Sequence, residues 1–389
     1  MHNHSHRSHH ADPFSRRDFF QIALGSALAG ASVLELGFHR AAWARALAPT
    51  ASTKLFDIEK VADGVYAAIA RAQAMINSNA AIFVNSEDVL VVDAHSKPSA
   101  AASLIAQLKK EVTPKPVRFV VNSHFHWDHQ QGNAAYKSAE SKVDFIASEP
   151  TKQLMEQEAQ KRLQESLDGV PKQIDALQAR LSKASSAGEK AFCREQIRQL
   201  QAYQAEMKSF ELVLPTLTFA RSHVIKDRAH DLHVEFHGHA HTAGDVVVFC
   251  PQKRVVATGD MIHGFLPYIG DGYPKAWAKT MDSVAQRDFA QLIGGHGPVQ
   301  HNRERMMGMK NYIEELVGRV EQGKRAGRSL AELQKTITVA SLNSLQANGY
   351  KEYVVANLYK FFPNYGPARP LQEDVNINIG EVYKNLDRV

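Results

Sequence analysis

Within six residues, from His124 to His129, the chain reads His-Phe-His-Trp-Asp-His, which crowds three imidazoles and one carboxylate into a single turn of backbone. The apolar run Val117 to Val121 just upstream reads as a buried strand, and side chains on a strand alternate between faces. His124 and His126 therefore emerge on one side, where one metal ion can take both. Asp128 continues on that face as the strand gives out, while His129 swings with the turning backbone and offers its ring to a second nearby ion. A lone histidine at a strand end is ordinarily a hydrogen-bonded residue of core or surface. Four donors at this spacing are expected by chance only on the order of a few times per thousand chains of this kind, so the cluster reads as a metal site.

Three later segments supply further donors, each at the end of an apolar run where a strand would deliver a side chain to one edge. They are His237-Gly238-His239-Ala240-His241-Thr242-Ala243-Gly244-Asp245, Val255-Val256-Ala257-Thr258-Gly259-Asp260, and Leu292-Ile293-Gly294-Gly295-His296-Gly297-Pro298. Glycine near each candidate ligand lets the backbone turn sharply and come close to an ion. With His241, Asp260 and His296 added to His124, His126, Asp128 and His129, the donors suit two divalent ions that share one carboxylate and keep open positions, the arrangement of a catalytic rather than a structural site.

These elements, in this order, resemble the metallo-β-lactamase-fold superfamily, whose members carry HxHxDH, then HTxGD, then a GD turn, then a GHG turn. The resemblance covers about Leu55 to Gln300 apart from an insertion. It implies that His124, His126 and His241 hold a first ion, that Asp128, His129 and His296 hold a second, and that Asp260 bridges them. His237 and His239 have no matching role and read as strand or rim residues, with His239 the one placed to touch substrate. Asp93 closes the apolar run Val89 to Val92, and the superfamily often has an acid there; it is either an acceptor behind a ligand imidazole or a turn-capping aspartate. One departure bears on substrate. The true β-lactamases of the superfamily typically have cysteine or serine where this chain has Asp260, whereas the broader hydrolases, glyoxalase II-like thioesterases and lactonases among them, have aspartate. The chain sides with that broader branch, and the family name is a poor guide to what is hydrolysed.

The chain has 389 residues, 44% of them hydrophobic, enough for one large domain with appendages. Its opening differs from the rest. Five histidines fall among the first ten residues, then comes Ser15-Arg16-Arg17-Asp18-Phe19-Phe20, then an apolar stretch from Ile22 to Leu34. This pattern reads as a twin-arginine export signal over residues 1–48, with overlapping small-residue sites at Ala44, Ala46 and Ala48 for cleavage after Ala46 or Ala48. The stretch is short, glycine-containing and followed by Glu35, so no stable membrane anchor is expected after cleavage. Export in the folded state would let metal load before transit, giving a periplasmic or secreted protein. Residues 1 to 50 hold five arginines and three acids, leaving 41 basic and 38 acidic groups in the mature chain. That balance is too mild, and too evenly spread over helical faces, to indicate nucleic acid as a partner; a small-molecule substrate is expected. Cys193 and Cys250 imply no disulfide framework, and neither has the neighbours of a nucleophile.

Along the mature chain, Leu55 to His95 reads as short strands broken at Asp63-Gly64 and at Asn85 to Asp88, followed by a helix from about Ala100 to Glu111 and the metal-bearing strand. Strands resume at Leu217 to Ala220, Leu232 to Phe236, Val246 to Cys250 and Arg254 to Ala257. The expected fold is α/β (α+β), an αββα sandwich of two mixed sheets with outer helices, over residues 53–300. Within it, residues 150–212 form an inserted helical hairpin: Leu167, Val170, Ile174, Leu177 and Leu181 step by three and four, as do Ile197, Leu200, Tyr203, Met207 and Phe210, with Ser182 to Lys190 between. Asp168-Gly169-Val170-Pro171 is expected to interrupt the first arm. The hairpin offers a homo-oligomer contact, a lid over the metals, or an arm packed on its own body. Residues 301–389 read as a helical extension, clearest at Met306 to Gln322 and Leu330 to Asn348, with Phe361 to Pro370 wrapping the surface. Phe265 to Tyr273 leaves the bridging aspartate as a loop and reads as substrate rim.

Two adjacent divalent ions lower the pKa of a shared water toward neutrality, so the expected reaction is metal-bound hydroxide attacking the carbonyl of an ester, lactone, thioester or amide, with Asp128 as the catalytic group that orients the water and moves its proton. Zinc is the expected metal, while iron and manganese suit the same donors. Other readings of the same residues are β-lactamase activity, a mononuclear iron sulfur dioxygenase, and a catalytically silent metal-binding protein whose hairpin is the working surface.

Overall fold

Short valine-, isoleucine- and alanine-rich runs separated by turn residues cannot extend as helices without exposing an apolar face, and in the computed structural model they pair edge to edge as strands. The structure describes residues 54–140, 142–361 and 370–388. The export signal expected over residues 1–48 lies outside them, as does most of the Phe361 to Pro370 tail.

The first sheet has seven strands in chain order: β1 (Phe56–Ala62), β2 (Val65–Ala70), β3 (Ala80–Val84), β4 (Val89–Val92), then, after helix α1 (Pro98–Glu111), β5 (Val117–Val121), then, after short helices α2 (Trp127–Gln130) and α3 (Asn133–Ala139), β6 (Asp144–Ser148). Two long helices, α4 (Glu149–Lys183) and α5 (Ala187–Met207), lead to the last strand, β7 (Leu217–Phe219). Strands β1 to β4 are antiparallel neighbours and β4 to β7 are parallel, so the helical hairpin occupies the parallel crossover from β6 to β7.

The second sheet holds β8 (Ser222–Ile225), β9 (Leu232–Phe236), β10 (Val246–Cys250) and β11 (Val255–Gly259), then, after α6 (Pro274–Ala285), β12 (Gln291–Gly294), in spatial order β12-β11-β10-β9-β8. Only β11 and β12 run parallel. Sequence reasoning passed over edge strand β8, which is short, and helix α6, although its Trp277, Met281 and Val284 step by four and three along one buried face.

The pleat explains the burial. In β4, Val89 and Val91 face the helix layer with Leu104, Ile105 and Leu108 of α1, while Leu90 and Val92 face the second sheet. The inter-sheet core then continues through β10 and β11 to a far layer in which Trp277 and Met281 of α6 meet Met309, Tyr312 and Leu316 of α7 (Glu304–Arg325). These layers are the αββα sandwich read from the sequence.

Two sequence expectations need correction. Helix α4 runs unbroken through Pro171. Proline deletes one backbone hydrogen bond, at a typical cost of about 3 kcal/mol, but Leu163, Val170 and Leu177 are all buried against Cys193, Leu200, Tyr203 and Met207 of α5. Full burial of each such side chain contributes about 1.5–3 kcal/mol, and the paired seam outweighs the local defect. Conversely, Leu330 to Asn348 is not one helix. It breaks into α8 (Leu330–Thr336) and α9 (Asn343–Gln346), because Thr338 and Ser341 cap a separate turn reciprocally after the β-branched run Thr336-Ile337-Thr338-Val339. Two more helices, α10 (Tyr350–Phe361) and α11 (Leu371–Asn385), complete the extension. No helix among the described residues is long and apolar enough to cross a membrane.

Candidate metal centre

Parallel strands deliver their C-terminal ends to one edge of a sheet, and both sheets use the same edge. Beyond β5 comes the turn bearing His124, His126, Asp128 and His129; beyond β11, Asp260; beyond β12, His296; and between β9 and β10, the loop with His241. The loops are stitched together by backbone. Val246 N–H donates to Ser123 carbonyl at 2.9 Å, Gly295 N–H to Gly259 carbonyl at 2.8 Å, and Asn79 ties the Gly294–Gly297 turn to the first sheet through its own N–H and its side-chain amide. Gly259 has φ +51°, and a Cβ there would overlap the Ser123 hydroxyl, so the approach of the two sheets at this point depends on glycine. A Cβ on Gly295 would likewise overlap Asp260 Oδ1.

All seven predicted donors come together and all are buried. They divide into two groups whose donor atoms lie within 4.8 Å of one another: His124, His126, His241 and Asp260, and Asp128, His129 and His296. Asp260 stands between them. Its Oδ2 lies 4.0 Å from His124 Nε2 and 3.6 Å from His241 Nε2, and its Oδ1 lies 3.3 Å from His129 Nε2 and 3.4 Å from His296 Nε2. Asp128 Oδ2 is 3.4 Å from His129 Nε2 and 3.1 Å from His296 Nε2.

Three of the imidazoles are aimed from behind. Asp93, at φ +70°, accepts from Ser123 N–H at 2.8 Å and the Ser123 hydroxyl at 2.9 Å, and its Oδ2 faces His129 Nδ1 at 2.8 Å. Tyr268 carbonyl accepts from His241 Nδ1 at 3.0 Å. Asp271 Oδ2 lies 2.8 Å from His126 Nε2, leaving His126 Nδ1 to face His241 Nε2 at 2.9 Å. These acceptors hold one ring nitrogen and leave the other directed inward, the arrangement that prepares a histidine to bind a cation.

Buried polar atoms ordinarily find partners. Here His124 Nε2, His129 Nε2 and Asp260 Oδ1 point into the centre with no hydrogen-bond partner among the described residues. Imidazole nitrogens and carboxylate oxygens brought this close, with lone pairs converging, are what a divalent cation satisfies, so the donor set fits two ions sharing Asp260.

The charges differ between the two groups. Burial drives His124 well below the ordinary imidazole value, reinforced by His129, His126 and His241, and drives His241 down to about 4. In the other group burial is outweighed by carboxylates: Asp260, Asp128 and Asp93 lift His129 well above its ordinary value, and Asp260 and Asp128 push His296 up to about 9. Asp128 and Asp260 are held low despite burial, Asp128 chiefly by His129 and Asp260 by His296 and His129.

The Lactamase_B model, described as the metallo-beta-lactamase superfamily, matches residues 76–296, more than half of the chain. The chain belongs to the metallo-beta-lactamase superfamily. Among solved structures it is similar to a metallo-beta-lactamase from Pontibacter korlensis (18% identity, 66% of this chain and 98% of that one, TM-score 0.48). It is also similar to one from Erythrobacter litoralis with beta mercaptoethanol in its active site (18%, 68% and 98%, 0.47) and to one from Hirschia baltica (18%, 67% and 98%, 0.48).

Other sequence candidates fall elsewhere. His237 is engaged by Glu235 and Ser283 at 2.9 Å each, and His239 lies against the Tyr273 ring, 4.3 Å between centroids, so neither joins the cluster. The two cysteines are buried and unpaired with each other. Sequence reasoning passed over Asp271, although its setting Gly270-Asp271-Gly272 repeats the glycine-flanked pattern of the other site residues. It also passed over Arg162, hidden in an ordinary charged helical face, and His263. That last ring is buried, has neither nitrogen partnered among the described residues, and lies 3.7 Å from Asp260 Oδ2, but no spacing pattern sets it apart.

Proposed function

We propose that this chain is an exported metal-dependent hydrolase of the broad, aspartate-bridged branch of the superfamily, acting on a carbonyl group in a small ester, lactone, thioester or amide. The observation that carries this reading is Asp260, whose two oxygens are shared between two separate donor groups. His124, His126 and His241 would hold one divalent ion, Asp128, His129 and His296 the other, with zinc the expected species. Such a pair supplies Lewis acidity toward a carbonyl oxygen and an acidified water at neutral pH.

The protein's own part is positioning and proton handling. Asp128 is the one carboxylate of the second group that is not shared, and its remaining acceptor capacity suits it to orient a water and take its proton. Asp93, Tyr268 carbonyl and Asp271 keep three imidazoles in the required tautomer. Burial of the whole cage excludes bulk water and strengthens each of these interactions. Aspartate rather than cysteine or serine at position 260 favours the broad branch over a β-lactamase. The Ser15 to Phe20 segment supports export by the twin-arginine route.

The test is elemental analysis of the mature protein coupled to an ester, lactone, thioester, amide and β-lactam panel, with Asp260→Ala as control. About two zinc ions per chain and hydrolysis lost in the variant are expected. One iron per chain with oxygen consumption on a persulfide would replace the reading with a dioxygenase, and intact metal with no turnover would replace it with a binding protein. N-terminal sequencing of the periplasmic fraction checks export, with a mature start after Ala46 or Ala48 expected.

A further inference from the structure

The helical hairpin reaches the metal centre from both of its arms. Arg162, on α4, places Nη1 2.7 Å from Asp271 Oδ2 and Nη2 2.9 Å from Asp271 Oδ1, a two-pronged pair, and its guanidinium lies over the Phe125 ring at 4.6 Å. Phe125 sits between His124 and His126 in the ligand turn. Asp271 in turn receives His126 Nε2 at 2.8 Å. The other arm follows suit: Tyr203 of α5 meets Trp127, the residue after His126, edge to face at 6.5 Å.

We propose that Arg162 and Asp271 are positioning residues that couple the order of the hairpin to metal retention by the His124, His126 and His241 group. Asp271 holds the proton on His126 Nε2 and so keeps Nδ1 as the ligand atom; Arg162 holds Asp271 in register with both of its oxygens occupied. The planar guanidinium fork makes this geometry, and lysine cannot reproduce it. Coupling of this kind is reciprocal: what the hairpin lends to metal binding, metal binding returns to the hairpin. The hairpin is thus part of the centre rather than an arm resting on it.

The inference rests on the metal-holding part of the proposed function and not on hydrolysis, and its test separates the two. Zinc affinity of the metal-free full chain is measured by competition with a chromophoric chelator for wild type, Arg162→Met, Arg162→Lys and Asp271→Asn, and cobalt(II) absorption reports the ligand geometry. Hydrogen exchange across residues 149–183 is followed with and without zinc. Wild type is expected to show zinc-dependent protection of α4; Asp271→Asn and Arg162→Met are expected to lose it and to weaken one of two zinc ions by about 10–100-fold, with the other unchanged and an altered cobalt spectrum. Arg162→Lys is expected to fall with Arg162→Met. Affinities and cobalt spectra equal to wild type in folded variants, with only a lowered Tm, would reduce Arg162 to a structural brace and overturn the inference. Failure of the wild-type chain to bind zinc would instead overturn the reading of the site itself.

Discussion

The two halves of the centre are built from different parts of the molecule. Behind His129 stands Asp93, at the end of a central strand and itself held by Ser123, so this imidazole is backed from the inter-sheet frame. Behind His126 and His241 stand Asp271 and the carbonyl of Tyr268, both on the loop that leaves Asp260. That loop is braced from outside the sandwich: by Arg162 of the hairpin, and by α11, where Asn378 donates to Pro267 carbonyl, Asn385 to the Ile269 and Gly270 carbonyls, and Glu381 accepts from Ile269 N–H. The backing of His129 therefore lies in the core, while that of His126 and His241 rests on a loop braced by the two helical additions. The carboxylates deepen the contrast, since they raise His129 and His296 while burial lowers His124 and His241.

Breaking the element common to both halves should have the largest effect. Asp260→Ala is expected to abolish tight binding of both ions and to lower turnover by roughly a thousandfold or more, the loss of about 4 kcal/mol; metal content and steady-state rates check it. Retention of one tightly held ion would show that the halves are more independent than the shared oxygens indicate.

Next comes the peripheral half. Leu200→Ala removes a fully buried side chain from the hairpin seam and should cost about 2–5 kcal/mol of stability. Denaturant unfolding measures the cost. Zinc titration should find the weakening confined to the half that includes His126, and weakening of both halves alike would dissolve the comparison.

The mirror image is Asp93→Asn. It keeps an acceptor but loses the charge behind His129, and is expected to weaken the other ion by about 10–100-fold while leaving the first in place. Chelator competition followed by cobalt spectroscopy distinguishes the two ions.

The smallest effect is a pH dependence near the core-supported half. His95 is buried, donates from Nδ1 to Ser78 carbonyl at 2.9 Å, and is pushed by burial from 6.5 down to about 3. In the unfolded chain it takes up a proton as pH falls through about 6.5, which the folded protein resists until about 3. More protons are then bound unfolded than folded, so its contribution to stability is present above 6.5 and is lost on acidification across that window. His95 has φ +68°, a conformation asparagine tolerates. His95→Asn should therefore flatten the fall in stability of the metal-free protein between pH 6.5 and 4 by about 1 kcal/mol per pH unit, measured as the difference between the two unfolding series. An unchanged slope would mean that His95 does not stay neutral in the fold.

Much of the site could be read from the chain because its ligands sit at strand ends, where period-two burial and flanking glycines mark them locally. His124, His126 and Asp260 follow directly from apolar runs, and Gly259, Gly295 and Gly297 show where backbone must turn beside them. The hairpin was legible from heptad-like spacing, but its unbroken passage through Pro171 was not, because local propensity favours a break and only the seam with α5 overrides it. Leu330 to Asn348 erred in the opposite direction, since side-chain caps at Thr338 and Ser341 interrupt an apolar pattern that suggests continuity.

By itself the sequence determined the donor set, the two-sheet architecture and the family, because each of these is written in short-range patterns of side-chain chemistry and period. Only the tertiary structure decided that Asp271 stands behind His126 and that an arginine from an inserted helix holds Asp271 in place. Those relations join residues more than a hundred positions apart, and such contacts depend on how sheets and helices pack in space, which no local pattern encodes.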